Sequence, residues 1–584
     1  MPNLFAEQLL NQAGKCLNAR EFVNAERSVN QALAMDPKNI RGLCFKAIIA
    51  AERGHKELAL TTINWALKLG PRMPAVLNNA ATVFFQCGQP ARAHQMWQRL
   101  VQVEPQSTDA NWNLAMYHVR RGDTDDAETY LRKVMQLAPS HPNVCMNLGN
   151  VIKNGGRIAE AVEIFREGAR RHPQDVRGDS NLLYALHFDP AFGPEQIHRE
   201  HAAWGRAFEA TIPCLERHEN DRSPTRRLRV GYVSPNLRAH VIGHNLLPLF
   251  RKHDHNQFQI YCYSDTQQQD GVTDQLRAGA DEWRETAKMS DTDLAKLISQ
   301  DKIDVLIDLV MHMEGVRLGV FARKPSPVQV TWMAYPGSTG LTRMDYRLTD
   351  AVLDPPGESD HFYTEQSIRL ETFWCYEPPA NAPAVGPLPA DANGYVTFGC
   401  LNNFGKVNSG VLEMWREVLS AVPGARLMVL PPKGKATTWL LEKLQVEPAR
   451  VECLPRQAQP QYFALYNRID LALDPFPYTG HTTTLDGLWM GVPLVTLVGS
   501  TVVSRGSLSL LSNLGLSELA VATKGDYVTL ATNLANDLPR LRELRAGLRE
   551  RLERSVLMDA DRFARQVELA YRMMWRKWCE KARQ

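Results

Sequence analysis

The sequence predicts an α-helical repeat solenoid followed by two α/β domains of the Rossmann type. The solenoid is indicated by five prolines that recur every 34 residues in the first third of the chain: Pro37, Pro71, Pro105, Pro139 and Pro173. From residue 228 onward, short β-branched runs alternate with helical stretches, which is typical of a parallel sheet. After a Pro- and Ala-rich stretch near residue 385 the alternation begins again, so a second domain of the same kind follows.

Each repeat also carries small residues at two fixed places before its proline. Those 12 residues ahead are Ala25, Ala59, Ala93, Ala127 and Ala161, and those 12 residues further ahead are Ala13, Ala47, Ala81, Ala115 and Gly149. Small side chains let two antiparallel helices approach closely, and a proline cannot continue the second helix. The unit resembles a tetratricopeptide repeat. We expect five repeats over residues 1–175, with a concave groove that binds extended peptide.

The repeat pattern ends after residue 175, because Leu183 and Glu195 now occupy the two small-residue places. We expect residues 176–225 to be joining helices. Within them, His198 and His201 stand three apart on a charged helix. A zinc site needs three or four ligands, so we assign this pair to a solvated helix face.

The first α/β domain is predicted over residues 226–385, with strands at 228–234, 259–264, 304–310 and 328–335. The second is predicted over residues 386–584, with C-terminal helices after strands at 395–402, 425–430, 450–455, 469–474 and 493–499. In such domains ligands bind beyond the carboxyl ends of the strands. The loops that follow these strands are therefore the places to look for functional residues.

Composition excludes several classes of protein. The 67 Lys and Arg residues nearly balance the 64 Asp and Glu residues, so no polyanion-binding surface is indicated. The ten cysteines are scattered, which predicts neither a zinc cluster nor a disulfide framework. The N-terminus lacks the features of a signal peptide, and no apolar run reaches the ~18 residues of a membrane span. We expect a cytoplasmic protein that binds neither nucleic acid nor membrane and holds no metal.

The densest functional signal is the segment LDPFPYTGHTTTLDGLWMGVPLVTLVG at residues 473–499. A strand ends, a turn follows, and His481, Thr482 and Thr483 begin a helix. Free backbone N–H groups and hydroxyls at a helix start suit a phosphate. The alternative is an ordinary capped helix of a βα unit.

Two further clusters each follow the first predicted strand of one α/β domain. In VTFGCLNNFGKVN, Lys406 stands in a polar turn beside Asn403 and could reach a diphosphate, although a loop lysine can also be simply solvated. In GYVSPNLRAHVIGHN, His240 could serve as a base or donor, with an apolar or capping histidine as an equal alternative.

The first domain also offers His312 and the turn around Pro336 and Gly337, where backbone could approach a ligand. The acidic pair Asp291 and Asp293 imitates a metal-binding motif, but it stands where a helix begins, so capping is the better interpretation.

Taken together and in order, these segments resemble the O-GlcNAc transferase and SPINDLY family of protein glycosyltransferases. The matching segments are GYVSPNLRAH, VQVTWMAYPGSTG, NNFGK and GHTTTLDGLWMGVPLVT. The resemblance implies two Rossmann-like lobes of the GT-B type and inverting transfer of one sugar from a nucleotide diphosphate to Ser or Thr. It implies no cofactor besides the sugar-nucleotide donor.

The resemblance also implies roles for single residues. His240 matches a histidine lining the donor and acceptor site, Lys406 the lysine on the leaving diphosphate, and Asp486 the acid on the ribose. His481, Thr482 and Thr483 match the phosphate-binding helix start. Gln459 and Tyr462 replace a lysine and a histidine that surround the uracil in animal O-GlcNAc transferases, and Tyr462 still offers a flat surface for a base.

The motifs specify the sugar-nucleotide donor less closely than the type of reaction. The segments VQVTWMAYPGSTGL and FPYTGHTTT look closer to the plant SPINDLY branch, whose members transfer fucose from GDP-fucose. His481 stands where that branch has threonine, which favours a UDP-sugar, with UDP-GlcNAc first. A GDP-fucose enzyme, a non-catalytic repeat scaffold and a sugar-nucleotide 2-epimerase are the alternatives. The expected partners are protein acceptors bound in the repeat groove, and an oligomer is possible.

Overall fold

The computed structural model describes residues 4–173, 175–215 and 217–581. Within it the chain forms two compact units, Met1–Val151 and Ile152–Gln584. The boundary between the units falls inside one helix, and each unit has its own core.

The first unit consists of antiparallel helix pairs, as the repeat spacing predicts. Its helices are α1 (Leu4–Asn18), α2 (Phe22–Met35), α3 (Ile40–Glu52), α4 (Lys56–Leu69), α5 (Pro74–Gln86), α6 (Pro90–Val103), α7 (Thr108–Arg121), α8 (Thr124–Leu137) and most of α9 (Val144–Asn154). The small residues lie where the helices of a pair cross, and Ala13, Ala25, Ala47 and Ala59 are fully buried. A larger side chain at these positions would separate the two helices of the pair.

The second unit begins with the end of α9 and three further helices. They are α10 (Ile158–Arg171), α11 (Val176–Leu186) and α12 (Pro194–Ala210). Helix α12 packs closely on the first α/β domain, because Gly205 lies against the backbone of Gly340 with no room for a side chain. The Glu209 carboxylate accepts hydrogen bonds from the N–H groups of Thr342 and Arg343.

The prediction that His198 and His201 share a solvated face is wrong for His201. Its ring is only 1% exposed, and its Nδ1–H donates to the Ile197 carbonyl at 2.8 Å. The ring faces His187 and His312 at 5.4 and 5.2 Å between centroids. Contacts with the first α/β domain bury this face of α12, and the charged residues around it in sequence gave no sign of them.

The first α/β domain contains a seven-stranded parallel sheet in the order β3-β2-β1-β4-β5-β6-β7. Its strands are β1 (Leu228–Ser234), β2 (Phe258–Ser264), β3 (Glu282–Glu285), β4 (Val305–Asp308), β5 (Val328–Thr331), β6 (Tyr346–Asp350) and β7 (Gln366–Leu370). Its helices are α13 (Val241–Lys252), α14 (Gly271–Ala278), α15 (Asp291–Gln300) and α16 (Leu318–Phe321). The strand order reverses direction between β1 and β4, which creates the switch point where ligands bind in such folds.

Three strands of this sheet are absent from the sequence-based prediction. Strands β3 and β7 lie at the two edges of the sheet and are polar, so they lack the buried-strand pattern. Strand β6 contains Arg347, a charge that normally argues against a buried strand. Its guanidinium is 1% exposed but bonds the Asp354 carboxylate at 2.9 Å, which compensates the charge.

The second α/β domain contains a six-stranded parallel sheet in the order β10-β9-β8-β11-β12-β13. Its strands are β8 (Thr397–Cys400), β9 (Arg426–Val429), β10 (Val451–Cys453), β11 (Leu471–Leu473), β12 (Leu494–Leu497) and β13 (Ala520–Val521). Its helices are α17 (Pro389–Asn393), α18 (Ser409–Ala421), α19 (Lys435–Leu444), α20 (Gln459–Leu465), α21 (Thr482–Trp489), α22 (Gly506–Asn513), α23 (Lys524–Asn536) and α24 (Leu538–Glu553). Of these strands only β13, which has two residues, is missing from the sequence-based prediction.

The last helix, α25 (Ala560–Lys581), returns to the first α/β domain. The Glu568 carboxylate accepts a hydrogen bond from Nδ1–H of the buried His253 at 2.9 Å. The hydroxyls of Tyr571 and Tyr232 lie 3.2 Å apart. These contacts tie the C-terminal end of the chain to the first sheet. Among the described residues, no helix combines the length and the apolar composition needed to cross a membrane.

Deleting residues 1–143 should leave the second unit folded, whereas deleting residues 1–175 should destabilise it. The longer deletion removes α10, whose Ile158, Val162 and Phe165 are buried. Each large apolar side chain lost from a core costs about 1.5–3 kcal/mol of folding free energy. Thermal melts of the two truncated proteins test this, with the higher melting temperature expected for the shorter deletion. Equal melting temperatures would show that α10 adds nothing to the second unit.

Candidate active site between the two sheets

The helices that follow two sheet strands meet between the α/β domains. Helix α13 follows β1 of the first sheet, and α21 follows β11 of the second. The side-chain amide of Asn245 on α13 donates to the hydroxyl of Thr482 on α21 at 3.5 Å. The candidate site therefore lies where the carboxyl ends of the two sheets face each other, as expected for such domains.

A buried carboxylate fixes the loop between β11 and α21. One Asp474 oxygen accepts the N–H of Gly480, and the other accepts the hydroxyl of Thr496, both at 2.7 Å. Gly480 is required here, because a Cβ at this position would collide with the Thr484 hydroxyl. Burial raises the pKa of Asp474, but these donors, with the hydroxyl of Ser507, favour the ionised form. The loop is held in one conformation before any ligand binds.

The start of α21 is open. The first helical hydrogen bonds are donated by the N–H groups of Thr484 and Leu485 to the His481 carbonyl, at 3.0 and 3.1 Å. The His481 side chain occupies the N-cap position but makes no capping hydrogen bond. The N–H groups that open the helix, with the positive end of its dipole, are thus available to an anion. This geometry favours the phosphate interpretation over the ordinary capped helix.

Lys406 is aimed at the same loop. It ends a short 3₁₀ turn, Phe404–Lys406, just after β8. Its ammonium donates to the Thr479 carbonyl at 2.7 Å and lies 4.3 Å from the ring centre of Tyr478. Burial lowers the pKa of Lys406 to about 8, so the group is still charged at neutral pH. Lys406 is therefore not a simply solvated loop lysine, which was the alternative that the sequence left open.

Asn402 joins Lys406 to the start of α21. Its side-chain oxygen accepts from the Lys406 ammonium at 3.2 Å and from the Thr483 hydroxyl at 2.7 Å. Sequence reasoning named its neighbour Asn403 instead. Asn403 is exposed, and its side chain accepts from the N–H of Gly405, so it caps the turn that carries Lys406.

His240 caps α13 and lies at the other side of the site. Its Nδ1 accepts the N–H of Ile242 at 3.2 Å, which leaves the proton of the neutral ring on Nε2. Burial, followed by the positive charges of Arg238, His244 and Arg456, lowers the pKa of His240 to about 4. The ring is therefore neutral at pH 7 and can offer an N–H donor. The two interpretations of His240 raised by the sequence, a cap and a donor, are compatible.

Asp486 lies on α21 beneath a group of tyrosines. The hydroxyls of Tyr376 and Tyr462 each donate to one of its oxygens, at 2.8 and 3.1 Å. The Tyr462 hydroxyl also lies 2.7 Å from that of Tyr466. Burial raises the pKa of Asp486 to about 7. Tyr462 is thus anchored by its hydroxyl, whereas Gln459 at the start of α20 is exposed.

His481 contributes a ring rather than a charge. It lies between Trp374 and Tyr478, at 5.0 and 5.2 Å between ring centroids. Burial and the charge of Lys406 hold the pKa of His481 well below its usual value. Its Nε2 is buried against Gly506 and finds no hydrogen-bond partner within the described part of the chain.

The structure does not bring His312, Pro336 and Gly337 to this cluster. His312 is buried between α11 and the first domain, where its Nε2–H donates to the Thr339 carbonyl at 3.0 Å and its Nδ1 accepts from the Ser180 hydroxyl at 3.1 Å. Pro336 and Gly337 are buried as well, and the Gly337 carbonyl accepts from Arg347. Both ring nitrogens of His312 therefore have protein partners in this structure.

The acidic pair at the start of α15 has ordinary structural partners. Ser290 caps the helix, and its hydroxyl accepts the N–H of Asp293 at 3.1 Å. Asp291 forms an ion pair with Arg317 at 2.8 Å. Asp293 is thus part of the helix cap, as predicted, and Asp291 has the additional ion pair.

Several residues of the cluster escaped the sequence reasoning: Asn245, Trp374, Tyr376, Asn402, Asp474 and Tyr478. Two of them had a sequence signal, because Asn402 lies two residues after the end of β8 and Asp474 directly follows β11, at carboxyl ends of strands. The aromatic residues had none, since tyrosines and tryptophans in loops are usually core residues.

Comparison with known proteins agrees with this geometry. The model of glycosyl transferase family 41 matches residues 204–376 and 384–567, and tetratricopeptide repeat models match residues 78–142 and 118–180. The chain belongs to glycosyl transferase family 41. The predicted order of fold classes, a tetratricopeptide solenoid and then two Rossmann-like domains of the GT-B type, is confirmed.

The individual relatives include two plant proteins. The SPINDLY protein of Oryza sativa subsp. japonica, named a probable UDP-N-acetylglucosamine–peptide N-acetylglucosaminyltransferase, is 35% identical over 434 residues, or 72% of this chain and 46% of that protein. The SEC protein of Arabidopsis thaliana, with the same enzyme name, is 30% identical over 61% of this chain and 38% of its own. This chain spans about half the length of the curated relatives it matches.

A solved structure covers more of the chain. A mutant of the Thermobaculum terrenum O-GlcNAc transferase matches with a TM-score of 0.80 and 36% identity, over 87% of this chain and 98% of that chain. The resemblance inferred from the motifs thus extends through both sheet domains and into the repeats.

Replacing His240 should separate its two roles. His240→Asn should keep the cap, because asparagine is an efficient N-cap residue, but it removes the ring donor. His240→Ala should remove both and cost about 0.5–2 kcal/mol of folding free energy. Urea denaturation at pH 7 measures this difference.

The same measurement at lower pH tests the buried state of the ring. The unfolded chain binds a proton at His240 below about pH 6.5, whereas the folded protein binds it only near 4. The contribution of the neutral His240 ring to the stability of the wild type is therefore lost as the pH falls from about 6.5 to about 4. The stability of His240→Asn relative to the wild type should rise over the same range. A difference that does not change with pH would contradict the buried, neutral ring.

Proposed function

We propose that this protein is an O-glycosyltransferase that moves a single sugar, first of all GlcNAc from UDP-GlcNAc, to Ser or Thr of protein acceptors. The observation that carries the proposal is the pairing of Lys406 with the open start of α21. The ammonium is held 2.7 Å from the Thr479 carbonyl, on the loop that leads into that helix. Both features supply positive potential at one place, and a nucleotide diphosphate is the leaving group that needs it.

Transfer requires the oxygen of the acceptor hydroxyl to attack the anomeric carbon while the bond to the diphosphate breaks. We propose that the proton of this hydroxyl passes to an oxygen of the departing diphosphate. The departing diphosphate keeps the electron pair, and Lys406 with the N–H groups of α21 stabilises the developing charge. We propose that this replaces a metal ion in the reaction. His240 positions an oxygen of a substrate through Nε2–H. Its Nδ1 already accepts from Ile242, and its low pKa makes it a weak base.

The donor nucleotide is proposed to lie against α20 and α21. Asp486 accepts two tyrosine hydroxyls and, as a carboxylate with two oxygens, can still accept a ribose hydroxyl. Tyr462, whose hydroxyl donates to Asp486, is the proposed aromatic surface for the base. The names of the SPINDLY and SEC relatives both specify UDP-N-acetylglucosamine, which supports UDP-GlcNAc as the first candidate donor. The motifs that look closer to the plant SPINDLY branch keep GDP-fucose as the second.

The repeats are proposed to bind the acceptor protein. A tetratricopeptide solenoid presents a concave surface that suits extended peptide, and transfer to free sugars or small molecules would not need one. Incubation of the full chain with a cell extract and either UDP-GlcNAc or GDP-fucose, in buffer with EDTA, tests the proposal. Intact-mass analysis should show acceptor proteins that gain one GlcNAc, and no sugar on any protein with either donor would overturn it.

Replacing Lys406 by methionine should reduce kcat by about 100-fold, because one preorganised charge at a leaving group commonly contributes on the order of 3 kcal/mol. Steady-state transfer assays measure the loss. A melting temperature close to that of the wild type is the control for folding. Normal turnover by a folded Lys406→Met protein would contradict the assignment.

The nucleotide site should discriminate between uracil and guanine. A site built for uracil leaves buried polar groups unpaired with guanine, at about 1–3 kcal/mol for each group. We therefore expect UDP to bind at least about 10-fold more tightly than GDP in calorimetric titrations. Tyr462→Ala should weaken both nucleotides if the ring stacks on the base. Tighter binding of GDP would reverse the choice of donor.

A further inference from the structure

A second buried lysine lies beside the candidate site, and the mechanism above does not use it. Lys153 stands in the last turn of α9 and is 9% exposed. Burial lowers its pKa to about 8. Among the described residues its ammonium has neither a carboxylate nor a hydrogen-bond acceptor as partner. Its contacts are with the rings of Tyr184 on α11 and of Phe188 just after that helix, at 5.2 and 5.5 Å from their centres.

The backbone around Lys153 is packed directly on the turn that carries Lys406. A Cβ at Gly405 would lie 3.2 Å from the Lys153 carbonyl oxygen. Three residues on, Gly156 has a φ of +84°, and a Cβ there would lie 2.8 Å from the Val407 carbonyl oxygen and 2.6 Å from the Trp439 ring. Backbone atoms are thus in close contact on both sides of Lys406. These contacts fix the position of the Lys153 backbone relative to that of Lys406.

Aromatic rings separate the two ammonium groups. The Lys406 ammonium lies over Tyr478, and the Tyr478 ring packs on Phe188 at 4.7 Å between centroids. Lys153 contacts the same Phe188 ring, so Phe188 and Tyr478 connect the two lysines. Lys406 and the start of α21 already serve the proposed diphosphate position, and the rings that Lys153 contacts belong to the helical segment before the sheets.

A buried ammonium without an anion is costly, and a partner that supplies one recovers that cost. On the proposed function, the molecule that comes to the helical side is the acceptor. We infer that Lys153 binds a carboxylate of the acceptor segment close to the modified Ser or Thr, so that the enzyme prefers acceptors with a nearby acidic residue. A charge-assisted hydrogen bond of this kind is worth about 10-fold in affinity.

The test uses the full chain and one acceptor peptide made in three forms at each position around the target residue, with Glu, Gln or Lys. The wild type, with UDP bound, should bind the Glu form at one position about 10-fold more tightly than the Gln form in calorimetric titrations. Lys153→Met should lose this preference, and Lys153→Arg should retain most of it. Lys443→Met, which alters an exposed lysine on α19, is the matched control and should behave as the wild type.

Two further measurements exclude a merely structural or donor role. Lys153→Met should melt at or above the wild-type temperature, because the change removes an uncompensated buried charge. It should also leave the affinity for UDP unchanged. A wild type without charge preference, a preference that survives Lys153→Met, or weaker UDP binding by that variant would each overturn the inference.

The inference rests on the proposed function, but the two can fail separately. Peptide binding is measured without turnover, so loss of the Glu preference in Lys153→Met supports the acceptor site even if the transferred sugar is misassigned. Conversely, transfer of GlcNAc with no charge preference would keep the proposed function and overturn the role of Lys153.

Discussion

The site depends on the carboxylate of Asp474. Through Gly480 and Thr496 it holds the loop that ends at the start of α21, and the Thr479 carbonyl on this loop receives the Lys406 ammonium. The position of the cation and the opening of the helix thus follow from one buried group. Because these hydrogen bonds are satisfied within the protein, the positive potential is in place before the proposed diphosphate would bind, which is the condition for effective electrostatic stabilisation.

The helical segment before the sheets is part of the site. Tyr184 on α11 and Phe188 just after this helix contact Tyr478 beside the proposed diphosphate position. Gly156 lies against Val407, and Ser180 is hydrogen-bonded to His312 of the first α/β domain. These helices therefore contact both α/β domains, and they contribute rings and a cation to the site in addition to any role in acceptor recruitment.

Among the described residues, neither Lys153 nor the partly buried Lys406 has a carboxylate in hydrogen-bond contact, and burial lowers the pKa of each to about 8. Each is held near aromatic rings, which attract a cation but do not neutralise it. Such groups reduce the stability of the free protein and gain an anionic partner when a ligand binds. The same side chains thus lower the stability of the free protein and raise its affinity for an anionic ligand.

The sequence by itself determined the repeat period, most of the strands, and the segments that carry Lys406, His240 and the start of α21. These features can be predicted from the spacing of residues close together in sequence, because helix and strand geometry sets that spacing. Only the tertiary structure decided that Asn402 links Lys406 to Thr483, that His201 is buried, and that strand β6 can contain Arg347. Each depends on partners distant in sequence, and burial or charge compensation by a distant partner leaves no local pattern to read.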